Sequence, residues 1–142
     1  VRESLFISVL STVPLFVEWL VRGEDKKIFT FLRMMKQQEQ PVADFVRKVV
    51  AELDNVHRAR VEGTEDTTRI NAHVAEVTYH IANKDLEMMI SELLSGVDER
   101  YESAYTSVRL ALVRVLDSIK DRSLQTIGGA YAFADAEVRT EA

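Results

Sequence analysis

Cysteine is absent from the 142 residues, which excludes a disulfide, a thiolate metal site and a cysteine nucleophile, and frees stability from the redox compartment. Proline and glycine are scarce, at 2 and 5 residues, so the chain lacks the punctuation of a loop-rich or disordered polymer. No basic stripe is present. Lys and Arg number 18 against 23 Asp and Glu, a net charge of −5, and the cations are interspersed, which argues against a nucleic-acid partner. Gly-rich phosphate loops and Gly-x-Ser-x-Gly elbows are missing, so nucleotide-binding and hydrolase readings have no anchor. The one long apolar run, Leu5 to Val21, is interrupted by Pro14 and Glu18 and reads as a buried helix, not a membrane span. The Arg22-Gly23-Glu24-Asp25 that follows is no small-x-small cleavage site, so the run does not read as a secretory signal.

What remains is helical periodicity. Hydrophobic residues make up 46% of the chain, and a domain of this size buries roughly 68–70% of its unfolded surface. The spacing predicts a first helix within residues 2–22, bent or restarted near Pro14 after Ser11-Thr12 and stopped by Gly23 in the left-handed conformation. A second runs over about 25–39, before an extended Gln40 and Pro41. A third covers 42 to about 60, with Val42, Phe45, Val49, Leu53 and Val56 forming one apolar stripe. The polar stretch Val61 to Thr68 is the main loop. Beyond it, two long helices over about 67–95 and 98–127 or further are expected to form a hairpin, with the turn at Leu94-Ser95-Gly96. Gly128-Gly129 lowers helix propensity by about 2 kcal/mol relative to two alanines, so the tail beyond needs something packed on it.

The expected fold is therefore all-α, an antiparallel four- to five-helix bundle in a single domain, with N-terminal helices over 1–60 and a hairpin and tail over 67–139. The pairs Met34-Met35 and Met88-Met89 sit in similar apolar contexts. They read as core filler, with an adaptable binding groove as the alternative.

For metal chemistry the candidates are His73, Glu76 and His80, which by their spacing share one helical face, with His57 on the preceding helix as a possible fourth group. The competing reading places these residues at the boundary between core and solvent, and no catalytic set and no cofactor is expected. Glu99, Glu102, Asp117, Lys120 and Asp121 read as a solvated helix face with local ion pairs.

In the last twenty residues, Tyr131 and Asp135 stand four apart and so share a helical face that a partner can read as one epitope. Ser123-Leu124, the stretch Tyr131-Ala-Phe-Ala-Asp135 and Arg139 resemble the C-terminal end of EspC-like and WXG-type proteins of mycobacterial type VII (ESX) secretion, which share a Tyr-x-x-x-Asp/Glu signal. The resemblance implies a helical hairpin that pairs with a partner hairpin and is exported without a cleaved signal peptide. It further implies that Tyr131 and Asp135 address the export machinery while Leu124 and Ile127 dock the tail, and that the protein is secreted or lies in the cell envelope; without that signal the expected location is the cytoplasm. The family's Trp-x-Gly turn is not matched, since Leu94-Ser95-Gly96 stands at the expected turn and the only tryptophan is Trp19. The expectation is a non-enzymatic protein that binds a protein partner or a second copy through apolar helix faces. A homodimeric sensory or interaction protein is the alternative, and a metal- or haem-binding one the third.

Overall fold

The computed structural model describes the backbone of residues 2–63, 70–98 and 103–131, and the side chains of 6–63, 70–98 and 103–121. Among the described residues the protein is all-α and has no strand. These residues form seven helices, more than the four or five expected: α1 Arg2–Leu10, α2 Val13–Arg22, α3 Asp25–Gln37, α4 Val42–Glu62, α5 Ala72–Val77, α6 Asn83–Asp98 and α7 Ala104–Tyr131. None of them is long and apolar enough to cross a membrane.

The N-terminal half breaks where the sequence predicts. α1 closes on a turn in which Thr12 N–H donates to Val9 O at 3.0 Å, and α2 restarts with Phe16 N–H donating to Thr12 O at 2.8 Å. Pro14 falls in the first turn of α2, where its missing N–H leaves no helical bond unmade. Gly23 ends α2 at φ 69°. Its N–H donates to Leu20 O at 3.2 Å and that of Glu24 to Trp19 O at 2.9 Å, the paired bonds of a Schellman motif. The same bonds recur after α3, from Glu39 N–H to Lys36 O at 3.1 Å and Gln40 N–H to Met35 O at 2.9 Å. Here a non-glycine, Glu39, takes the left-handed position at φ 56°. Pro41 then fixes an extended residue before α4.

Every member of the predicted α4 stripe is buried, and Val46 and Val50 widen it. That breadth gives α4 its place: it meets each of the other helices. Phe16, Leu20, Ile28 and Leu32 are fully buried beside its own Phe45 and Leu53, each contributing about 1.5–3 kcal/mol relative to exposure.

The C-terminal half departs from expectation twice. The helix expected over 67–95 is two helices, because α5 stops at Val77 and the buried Thr78 hydroxyl donates back to Val74 O at 2.7 Å. The turn that follows is held from another helix. Arg60 donates to Thr78 O at 2.7 Å, to Ile81 O, and to Asn83 Oδ1 at 3.1 Å. The second departure is Gly96, which is not a turn. It lies inside α6, and a Cβ there would stand 2.5 Å from Ala111 Cβ and 3.2 Å from Ser107 O. The glycine lets the backbones of α6 and α7 close on each other.

Cross-helix pairs fix direction. Glu92 with Arg114 at 2.8 Å and Gly96 against Ala111 make α6 and α7 antiparallel. His57 with Glu87 and Arg60 with Asn83 do the same for α4 and α6. Asp25 with Lys120, and Lys36 over the Tyr105 ring at 4.5 Å, make α3 antiparallel to α7.

Candidate functional site

The helical repeat divides α3 into two faces. Ile28, Leu32 and Met35 are buried, while Lys27, Phe31 and Met34, spaced by four and three, share another side. Across from them the α2 register brings Trp19 beside Phe31, their rings 5.9 Å apart and edge-on. The ring of Phe16 continues this contact inward, 5.1 Å from that of Phe45. The outer rings of a core aromatic cluster thus form the floor of a surface groove.

That groove has a volume of about 430 Å³ and is lined by Trp19, Lys26, Lys27, Thr30, Phe31 and Met34. The walls are almost wholly apolar, with the two lysines at one end. Lys27 is 3.0 Å from Glu24 and more than half exposed, so this pair is weakly held in water. Of the two methionine pairs, Met35 and Met89 are buried, whereas Met34 and Met88 are half-buried at the edge of the core. Met34 therefore fits the adaptable-groove reading and Met35 the core reading. Trp19 and Phe31 are the residues that the sequence reasoning missed as a site. Trp19 was legible only as an apolar member of its helix, because nothing local shows which neighbour covers the indole.

No protein family, curated protein or solved structure matches this chain. The groove's chemistry therefore rests on its own residues.

The histidines do not converge. His73 Nε2 lies 2.6 Å from Glu18 Oε1, and Glu18 is also 3.4 Å from Arg22. The pair explains how a carboxylate stands in the apolar α2: it ties α2 to α5. Glu76 is 4.0 Å from His73 Nδ1. His80 lies beyond the end of α5, off the face that His73 and Glu76 share, and its ring is edge-on to Tyr79 at 5.1 Å. His57 pairs instead with Glu87 at 2.8 Å. Among the described residues no group of three or more histidine, aspartate or glutamate side chains is placed to hold a metal ion.

Of the tail residues, Leu124, Ile127 and Tyr131 fall within the span of α7, but their side chains lie outside the described residues. Asp135 lies outside them altogether.

Proposed function

We propose that this chain is a non-enzymatic, antiparallel helical-bundle protein that works by binding an apolar, acid-flanked segment of another polypeptide in the α2–α3 groove. The observation behind this reading is the groove itself: Trp19, Phe31 and Met34 as an apolar floor with Lys26 and Lys27 at one end. Partly exposed tryptophan is the side chain most often dominant in interfaces. A methionine wall adapts to differing apolar shapes, and a cationic rim favours segments that carry carboxylates.

The anionic dye 1-anilinonaphthalene-8-sulfonate probes such a surface directly. Trp19 is the sole tryptophan, so it is the one tryptophan donor for transfer to bound dye, and loss of that transfer in a groove variant assigns the dye to this groove. The native protein is expected to bind the dye with transfer. Thr30→Glu, which places a carboxylate on an exposed groove position, is expected to weaken binding at least tenfold while leaving the far-ultraviolet circular dichroism unchanged. Equal binding by the variant would reject the groove as the site.

The tail supports a second reading. The four-residue spacing of Tyr131 and Asp135 is that of an export address, so we propose that the protein is also a substrate or partner of a type VII-like secretion system. In a host with such a system, Tyr131→Ala and Asp135→Ala should each abolish export with the fold intact. Undiminished export of both would remove this reading.

A further inference from the structure

We infer that the groove is occupied by the C-terminal segment 132–142 of a second copy of this chain. The inference rests on the groove being a docking surface, and it names the occupant. Segment 132–142 has the composition the groove asks for: Phe133 and Val138 as apolar groups, with Asp135, Glu137 and Glu141 against the single Arg139. An aromatic ring fits the floor between Trp19, Phe31 and Met34, and the carboxylates meet Lys26 and Lys27, an arrangement of opposite charges around an apolar anchor.

Geometry decides between the chain's own segment and a neighbour's. α3 is antiparallel to α7, with Asp25 beside Lys120 and Lys36 beside Tyr105. The groove residues of α3 therefore lie between the levels of Lys120 and Tyr105, while α7 continues the other way to Tyr131. From Lys120 to Tyr131 the helix rises roughly 16 Å. Phe133, two residues further, reaches back by at most about 7 Å. The aromatic anchor thus falls short of its own groove, whereas a second molecule can present it freely. Two copies that exchange segments bury both anchors around one two-fold axis, a closed arrangement that stops at the dimer.

Sedimentation of the full chain across the micromolar range tests this, with Trp19 emission recorded on the same samples. A reversible dimer is expected, with Trp19 emission shifting to shorter wavelength as it forms. Phe133→Ser and Thr30→Glu should each raise the dissociation constant at least tenfold, and an excess of the synthetic peptide Tyr131–Ala142 should dissociate the native dimer. A monomer at all concentrations would overturn the inference, as would a dimer indifferent to both substitutions. A Trp19 shift that needs Phe133 but is independent of concentration would assign the groove to the same chain's segment and equally overturn it. Measured on protein dilute enough that no second copy fills the groove, dye binding stays sensitive to Thr30→Glu even where the dimer never forms, so loss of the inference and loss of the groove reading give different results.

Discussion

A guanidinium offers five N–H donors in a fixed plane, and Arg60 directs them at the carbonyls of Thr78 and Ile81 and at the Asn83 side chain. The turn between α5 and α6 carries carbonyls outside any helical ladder, so a cation from α4 pins that turn and aims the chain into α6. Arg58 stands two residues away and pairs only locally, with Asp54 at 2.9 Å. Nothing in the sequence separates these two arginines, because what distinguishes Arg60 is a turn 18 or more residues later. Arg60→Ala is expected to cost about 1–2 kcal/mol, the low end for bonds to charged groups because the side chain is partly in water. Arg60→Lys should recover less than half of that, since an ammonium cannot reproduce the planar fork. Urea unfolding measures both, and amide exchange at residues 78–83 should rise in each variant. Equal stability of the lysine variant and the native chain would refute the fork as the cause.

At the scale of elements, the punctuation that acts locally was readable and the punctuation that depends on a neighbour was not. Gly23, Pro14 and Pro41 each constrain their own backbone, and the break between α1 and α2, the end of α2 and the start of α4 fall where these residues demand. The apolar stripe of α4 was equally plain, since burial follows its repeat of three and four. Gly96 was misread because a glycine lacks a Cβ for two different reasons: to turn, or to let another backbone approach. Only α7 reveals which applies. Gly96→Ala gains about 1 kcal/mol of helix propensity but forces a methyl group to 2.5 Å from Ala111 Cβ, and such overpacking costs typically 1–3 kcal/mol. A net loss of about 1 kcal/mol is expected by urea unfolding, with Ala111→Gly in the same chain restoring part of it. A stabilised Gly96→Ala protein would mean that α6 and α7 are not in close contact there. The groove was half-legible for a related reason: the repeat puts Phe31 and Met34 on one side of α3, but which ring of α2 faces them is set by the crossing of the two helices.

For the molecule as a whole, the question is whether residues 1–60 and the α6–α7 pair are one folding unit. The answer turns on α4, because it lies among all the other helices and its buried residues join a single cluster with those of α2, α3, α6 and α7. Leu53 and Val49 are fully buried in that cluster, so neither half can keep its core if α4 loses its seat. Two probes distinguish the halves. Trp19 emission reports the α2–α3 side, whereas far-ultraviolet circular dichroism weighs all the helices, the long α6 and α7 heavily. If the core is shared, both follow one urea transition with the same midpoint and the same slope, on the order of 1–3 kcal/mol/M. Leu53→Ala, which empties a fully buried site in α4, should lower stability by about 2–5 kcal/mol and move both curves together. Separate midpoints in the native chain, or a Leu53→Ala shift seen by only one probe, would show two units that merely touch. The segment-exchange dimer would then have to be held by the α2–α3 side alone.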